Sequence, residues 1–251
     1  MNFFDEFRNR YIFNLKIELV TPLHIGTGSG SISPLEADNS VMRNIDGSLV
    51  LPGASVKGVF RSTLESILNS ISNDLVCNIE NSPCIAKSKN DFSDEKKWYE
   101  YIASNICEVC SLFGSQAIAS HIYFGDAISK NGAVSTRDGV RINRGSETAA
   151  NGAKYDFELA NPGAIFEGEL ILENVENYQV GYILKIIDLI NDGFVRFGGK
   201  KSVGLGRVKI DYTLKTINAE NVFSSGEQIT NFAKFISALN NRIDILKGGK
   251  A

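Results

Sequence analysis

Two stretches of the chain show clear hydrophobic periods. Apolar and polar residues alternate along residues 13–20, and this period of two predicts a half-buried strand that ends at Thr21 and Pro22. From Ser55 onward, apolar residues recur at intervals of three and four, which predicts a helix whose first turn Ser55 caps. The apolar positions of this helix are Val56, Val59, Phe60, Leu64, Ile67 and Leu68.

Later periods complete an alternation of strands and helices. Residues 121–126 and 164–173 have the pattern of strands, and residues 180–190 have that of a helix that stops near Gly193. Residues 206–214 predict a last strand. The resulting order, β-α-β-β-α-β, is typical of an α+β fold with a ferredoxin-like (RRM-like) core.

Long segments separate the predicted core elements. Residues 72–120 and residues 129–163 are expected to be insertions into a single domain that spans residues 1–251. Residues 229–248 predict a C-terminal amphipathic helix, which we expect to pack on its own domain rather than on a partner. Its apolar positions are Phe232, Phe235, Ile236, Leu239, Ile243 and Leu246.

Composition narrows the class of protein. The chain has 251 residues, 43% of them hydrophobic, and a net charge of -3, which argues against a wholly basic nucleic-acid binder. Affinity for phosphate depends on local cations, and two segments, residues 47–64 and 196–209, carry basic residues and no acid. The N-terminus has acids where a signal peptide needs a cationic region, and no stretch is long and apolar enough to span a membrane. We therefore expect a cytoplasmic protein with no membrane partner.

Four cysteines form two pairs. Cys77 and Cys84 are separated by six residues, and Cys107 and Cys110 by two. Because disulfides are disfavoured in a reducing cytosol, the spacing favours a structural zinc site with four thiolate ligands. Unrelated free thiols are the alternative. A thioredoxin-like role is disfavoured because the cysteines lack a βαβ context.

A glycine-rich loop precedes the last predicted strand. Residues 197–207 contain four glycines and the cations Lys200, Lys201 and Arg207. Glycines let a backbone approach a phosphate chain, and the cations can bind its oxygens. The spacing differs from that of a nucleotide-binding P-loop, and a strand follows instead of a helix. A solvated glycine-rich turn is the alternative to a polyanion site.

Four segments resemble one known family. They are residues 22–28, residues 51–58 with Arg61, residues 110–115 (Cys-Ser-Leu-Phe-Gly-Ser), and the glycine loop of the form Gly-Gly-x4-Gly-x-Gly. Together they resemble the RAMP superfamily of CRISPR effector proteins. The resemblance is greatest to the repeated backbone subunit of type III (Csm/Cmr-like) complexes, and the cysteines suggest the zinc-containing type III-D and III-E branch.

The resemblance implies partners and contacts. Backbone subunits of this family coat the CRISPR RNA guide and contact the complementary target RNA in the assembly. They also adjoin other effector subunits, including copies of themselves. Residues 129–163 resemble the family's thumb hairpin, which wedges between guide and target, and their aromatic residues suit stacking on bases. The residues expected to bind RNA are Lys57, Arg61, Arg141, Arg144, Gly198, Gly199, Lys200, Lys201 and Arg207.

The resemblance also implies a catalytic residue. Asp38 occupies the place of the aspartate in target-cleaving subunits, where a carboxylate with Mg²⁺ or another divalent ion promotes attack by the target's 2′-hydroxyl. Glu36 is the nearest second carboxylate, and His24 is either an assisting acid or base or a structural residue. Asp38 as a simple turn-capping residue would make the chain a non-cutting RNA-binding subunit. A more distant alternative is a guide-processing endoribonuclease that depends on His24 or His121.

Overall fold

The computed structural model of the protein describes residues 5–26, 39–142 and 144–248. The strands are β1 (Asn9–Leu19), β2 (Leu49–Leu51), β3 (Ile122–Phe124), β4 (Ala127–Ser129), β5 (Val134–Ile142), β6 (Ala149–Ala160), β7 (Ile165–Glu173), β8 (Val208–Asn218) and β9 (Glu227–Ile229). The helices are α1 (Gly53–Ile71), α2 (Glu95–Asn105), α3 (Glu108–Phe113), α4 (Asn177–Asn191) and α5 (Ala233–Gly248).

The main sheet is antiparallel and is centred on β1. Strand β1 pairs with β7 on one side and with β8 on the other, and β9 extends the sheet beyond β8. Beyond β7, the chain contributes β3 and β4 to the same edge, and β2 pairs with β4. The four core positions predicted as strands therefore lie in the order β3, β7, β1, β8.

One face of this sheet is covered by helices, and the hydrophobic periods explain why. In β1, the alternate residues Phe13, Leu15, Ile17 and Leu19 are buried, so the predicted half-buried strand is confirmed. Helix α1 buries its own apolar face, and α4 is buried along most of its length. Each large apolar side chain removed from water contributes about 1.5–3 kcal/mol, so this shared core dominates the stability of the fold.

The beginning of α1 differs from the sequence prediction. The helix begins at Gly53 with Pro52 as its N-cap, so Ser55 lies inside the first turn and the prediction that it caps the helix is wrong. The Gly53 N–H instead donates to Asp126 Oδ1 at 2.7 Å. A Cβ on Gly53 would lie 2.2 Å from the Phe124 carbonyl oxygen, so only glycine permits this close approach to the sheet edge.

The strand predicted at residues 121–126 is shorter in the structure. Strand β3 covers only Ile122–Phe124, and a separate strand that was not predicted, β4, begins at Ala127, just after Asp126. Because its side chain bonds to the start of α1, Asp126 marks the break between the two short strands. A hydrophobic period cannot reveal this break, since the partner of Asp126 lies far away in sequence.

The two long segments that were predicted as insertions contain different elements. Residues 72–120 contain α2 and α3 and a small apolar cluster formed by Ile85, Trp98 and Ile102. Strands β5 and β6 form a two-stranded antiparallel hairpin, with a register shift between Val140 and Ile142.

Helix α5 packs on α4. Phe235 and Leu239 of α5 are buried in the main core. A Cβ on Gly181 of α4 would lie 2.7 Å from the Phe235 carbonyl oxygen, so a glycine allows the two helices to touch. Within the described part of the chain, no helix combines the length and apolar character that a membrane span requires.

Candidate functional site

The glycine loop packs against the exit of the first strand. The Gly199 N–H donates to the His24 carbonyl oxygen at 2.9 Å, and the Gly206 N–H donates to the Pro22 carbonyl oxygen at 2.9 Å. A Cβ on Gly198 (φ +68°) would lie 2.3 Å from the His24 carbonyl oxygen. These glycines thus serve close packing and positive φ within the protein, and the binding of RNA by Gly198 and Gly199 stays a prediction.

The two lysines of the loop have different surroundings. The Lys200 ammonium lies 4.1 Å from the centroid of the Phe157 ring and 4.7 Å from that of Tyr155. Lys200 Nζ also donates to the Tyr155 hydroxyl at 3.1 Å. Lys201 is exposed. Lys200 therefore joins the loop to the β5–β6 hairpin, whereas Lys201 faces solvent.

Arg207 ends the loop and is turned towards α4. Its backbone N–H donates to Thr21 Oγ1 at 2.9 Å. A Cβ on Gly193, just beyond α4, would lie 3.1 Å from Arg207 Nε. This Nε is buried and has no hydrogen-bond partner among the described residues. The guanidinium thus lies near the C-terminal end of α4, where the helix dipole favours a cation.

On α1, the predicted RNA-binding cations contact the protein itself. Lys57 Nζ donates to Ser120 Oγ at 2.8 Å, and burial together with the nearby Arg61 guanidinium lowers the pKa of Lys57. Arg61 donates through Nε to Glu65 Oε1 at 2.8 Å and through Nη1 to the Gly114 carbonyl oxygen at 3.0 Å. Sequence reasoning missed these contacts. The contact between Arg61 and Gly114 joins two of the family-like segments, residues 51–61 and residues 110–115.

The four cysteines meet beside this contact. The Sγ atoms of Cys77, Cys84, Cys107 and Cys110 all lie within 4.8 Å of one another. Cys77 Sγ is 3.5 Å from Cys110 Sγ and 3.7 Å from Cys107 Sγ. Tetrahedral zinc with Zn–S bonds of about 2.3 Å separates its sulfur ligands by about 3.8 Å. The cluster therefore has the donor set and spacing that fit a zinc ion.

The surroundings of the cluster affect the ionisation of its thiols differently. Arg61 Nη2 lies 3.5 Å from Cys110 Sγ, where it supplies a positively charged donor. A hydrogen bond from the Cys110 thiol lowers the pKa of Cys107 to about 4, whereas burial raises that of Cys84 to about 11. One thiol therefore ionises readily, and a bound cation would favour ionisation of the others.

The catalytic candidates Asp38 and Glu36 lie outside the described residues, which resume at Asn39. The Asn39 carbonyl oxygen accepts from the Glu158 N–H at 3.0 Å. The Glu158 carboxylate accepts from the Val41 N–H at 3.0 Å and from Arg43 Nη2 at 3.1 Å. The segment that follows Asp38 is therefore fastened to the base of the β5–β6 hairpin.

Both histidines donate hydrogen bonds to backbone carbonyl oxygens. His24 Nδ1 donates to the Glu158 carbonyl oxygen at 2.9 Å, and the His24 ring meets the Phe157 ring edge-on. His121 is buried, and its Nδ1 donates to the Glu173 carbonyl oxygen at 2.8 Å. Because a carbonyl only accepts, each Nδ1 carries a hydrogen in this arrangement. The geometry gives both residues structural contacts.

The remaining RNA-binding candidates belong to the hairpin. Arg144 is exposed in the turn between β5 and β6. Arg141 is in β5, and its side chain lies outside the described residues. Glu158, which connects three segments at the base of this hairpin, was not singled out from the sequence. Its position in an alternating strand gave no signal of these contacts.

Comparison with known proteins places these features in a family. A family model described as the RAMP superfamily matches residues 16–209. The CRISPR system Cms endoribonuclease Csm3 of Methanothermobacter thermautotrophicus is 26% identical over 233 residues, which cover 81% of this chain and 84% of that protein. The protein of the same name from Methanocaldococcus jannaschii is 23% identical over 251 residues, which cover 93% of this chain and 92% of that protein.

Proposed function

Because the chain belongs to the RAMP superfamily, we propose that it is a guide-RNA-binding backbone subunit of a type III CRISPR effector complex. The observation that carries the proposal is the extent of the similarity to two proteins named Csm3, which covers 81% and 93% of this chain. The proposed partners are the CRISPR RNA guide, complementary target RNA and other effector subunits, including further copies of this chain.

The strand order supports a ferredoxin-like core for this subunit. Strands β3, β7, β1 and β8 lie side by side in an antiparallel arrangement. Along the chain, α1 lies between β1 and β3, and α4 lies between β7 and β8. This is the order expected of a β-α-β-β-α-β core. Residues 72–120 and 129–163 are the proposed insertions, and the whole chain is proposed as one RAMP domain.

The RNA surface is proposed to combine exposed cations with backbone amides. Lys201 and Arg144 are exposed and available to phosphates. Lys57 lies near the beginning of α1, where the helix dipole also favours an anion, and Arg61 lies about one turn further along the helix. Their contacts with Ser120 and Gly114 would hold both side chains in place before RNA binds.

Target cleavage is proposed to depend on Asp38. A divalent ion held there would stabilise negative charge as the target's 2′-hydroxyl attacks the adjacent phosphate. This step is supported by the name of both relatives, which are called endoribonucleases. The ties from Glu158 to Val41 and Arg43 would limit the movement of the segment that follows Asp38.

Zinc is proposed as a structural cofactor held by Cys77, Cys84, Cys107 and Cys110. The convergence of the four sulfur atoms supports this proposal over unrelated free thiols. It is also the feature that favours the type III-D and III-E branch. Burial of the His121 side chain disfavours a guide-processing role for that residue. Because His24 donates through Nδ1, its Nε2 is the basic nitrogen of the ring, and His24 stays the candidate for this alternative.

The test is cleavage of a labelled complementary RNA by the assembled guide complex, with and without Mg²⁺. Asp38→Ala should slow the Mg²⁺-dependent cut by about 100-fold or more, with guide binding preserved. Asp211→Ala is the matched control, since Asp211 is an exposed aspartate on β8. If Asp38→Ala cuts as fast as the wild type, or if neither protein cuts, the chain is a non-cutting RNA-binding subunit.

A further inference from the structure

We propose that Lys200 positions the β5–β6 hairpin on the glycine loop through its contacts with Tyr155 and Phe157, and does not bind RNA phosphate. The inference rests on the proposed RNA-binding function, in which the hairpin contacts RNA. It separates Lys200 from its neighbour Lys201, which the sequence alone treats as equivalent.

The backbone of Lys200 adopts an uncommon conformation. Its φ is +56°, in the left-handed region that residues other than glycine seldom adopt. This conformation accompanies the placement of the ammonium over the Phe157 ring, at 4.1 Å from its centroid, and beside the Tyr155 hydroxyl, to which Nζ donates at 3.1 Å. A cation over an aromatic face at this distance is attracted to the ring.

The Tyr155 ring also contacts β5. Gly139 pairs directly with Tyr155 across the hairpin. A Cβ on Gly139 would lie 2.3 Å from Tyr155 Cζ, so the ring lies across the bare backbone of the glycine. An aromatic ring that covers a glycine on the neighbouring strand is a known device for fixing strand pairs. Tyr155 thus contacts both Gly139 and Lys200.

The Phe157 ring completes a closed circuit of contacts. Phe157 is buried with Leu159 and with Leu205 of the glycine loop. The edge of His24 packs on the Phe157 ring, and the His24 carbonyl oxygen accepts from the Gly199 N–H. Contacts therefore run from the loop through Lys200 to Phe157, on to His24, and back to the loop. Moving Lys200 to a phosphate would break this circuit.

Hydrogen exchange of the free protein tests the positioning role. Lys200→Ala should accelerate amide exchange in β5 and β6 by about 5- to 30-fold. This change corresponds to the free energy lost when a partly desolvated cation–π contact is removed. Lys200→Arg should retain most of the protection, because a guanidinium also stacks on aromatic rings. Lys201→Ala, which removes the adjacent exposed lysine, should leave this exchange unchanged. Unchanged exchange in Lys200→Ala would overturn the inference.

The salt dependence of guide binding tests the phosphate alternative. Each lost phosphate contact lowers the slope of log K against log salt by about 0.7 for single-stranded RNA. A positioning residue should leave this slope at the wild-type value in Lys200→Ala. A slope lowered by about 0.7 in Lys200→Ala, with hairpin exchange unchanged, would make Lys200 a phosphate ligand and overturn the inference.

Gly139→Ala provides an independent test that keeps every lysine. The added Cβ should displace the Tyr155 ring, so exchange in the hairpin should rise as it does in Lys200→Ala, although alanine is otherwise favoured over glycine in a strand. Wild-type exchange in Gly139→Ala would contradict the proposed role of the ring. If the wild type fails to bind guide RNA, the proposed function fails, while the exchange measurements still decide whether Lys200 positions the hairpin.

Discussion

At the scale of single residues, Asp126 connects the edge of the sheet to the first helix. Its carboxylate accepts the Gly53 N–H at 2.7 Å, at a helix N-terminus that has no acidic residue in its own first turn. A carboxylate at this position satisfies an unpaired amide and interacts favourably with the helix dipole. The contact comes from a residue 73 positions away in sequence.

We expect Asp126→Ala to lower the free energy of unfolding by about 1 kcal/mol, because the helix loses its cap. Asp126→Asn should lose less, since the amide oxygen still accepts the hydrogen bond. Urea denaturation of the three proteins at neutral pH measures the difference. Equal stability of wild type and Asp126→Ala would show that this hydrogen bond contributes nothing to the fold.

The basic residues show that residue type alone does not predict which contacts a side chain makes. Sequence reasoning placed Arg61, Lys200 and Lys201 in one class because all three are cations in family-like segments. The structure distinguishes them by partners distant in sequence: Gly114 for Arg61 and Tyr155 for Lys200. Such partners depend on the fold, so spacing along the chain could not reveal them.

At the scale of elements, α1 contains two glycines with different explanations. Gly53 permits the close approach to the Phe124 carbonyl oxygen, whereas a Cβ on Gly58 would meet no described atom within 4 Å. A glycine inside a helix costs about 1 kcal/mol relative to alanine. Because packing does not require Gly58, the cost fits a site where an RNA backbone approaches the helix, as the proposed function demands.

Gly58→Ala should therefore raise the free energy of unfolding by about 0.5–1 kcal/mol and at the same time weaken guide binding. Denaturation and guide-binding titrations on the same preparations measure the two effects. Ala54→Gly, at an exposed position of the same helix, is the reverse control and should destabilise the protein. Stabilisation by Gly58→Ala with unchanged guide affinity would contradict close approach of RNA at this helix.

The cysteine-bearing segment, residues 72–120, is the part of the chain that we expect to depend on a metal. Its small apolar cluster of Ile85, Trp98 and Ile102 buries little surface compared with the main core. Removal of zinc by a chelator should accelerate hydrogen exchange across described parts of residues 72–120 and leave β1 and β7 protected. Added zinc should restore the protection. Freshly purified protein without zinc would refute the metal site.

At the scale of the whole molecule, acid should destabilise the fold through His121. Burial lowers the pKa of His121 below its ordinary value of 6.5. The unfolded chain therefore binds a proton at a higher pH than the folded protein does. Stability is fully present above the unfolded pKa and declines as the pH falls towards the folded pKa.

We expect the free energy of unfolding to decrease below about pH 6.5, with a slope of up to about 1.4 kcal/mol per pH unit from this histidine. His121→Gln should reduce that slope, because glutamine does not titrate and can still donate to the Glu173 carbonyl oxygen. Denaturant titrations at several pH values measure both curves. Parallel curves for the two proteins would assign the acid sensitivity to other groups, such as the cysteine cluster.

The sequence by itself determined the core elements and the family. The period of two in β1 and the periods of three and four in α1 reflect which side chains must leave water, and this requirement is local to each element. The family-like segments at residues 51–61, 110–115 and 197–207 could also be recognised, because they are defined by residue types and spacings along the sequence.

Only the tertiary structure decided which groups meet. It brought the four cysteines within 4.8 Å of one another, ended one predicted strand at Phe124, and placed the Lys200 ammonium over the Phe157 ring and beside the Tyr155 hydroxyl. Each of these contacts joins residues far apart in sequence, and its energy depends on distance and burial after folding. Hydrophobic periods specify which face of an element is buried, but they do not specify which polar groups contact that element after folding.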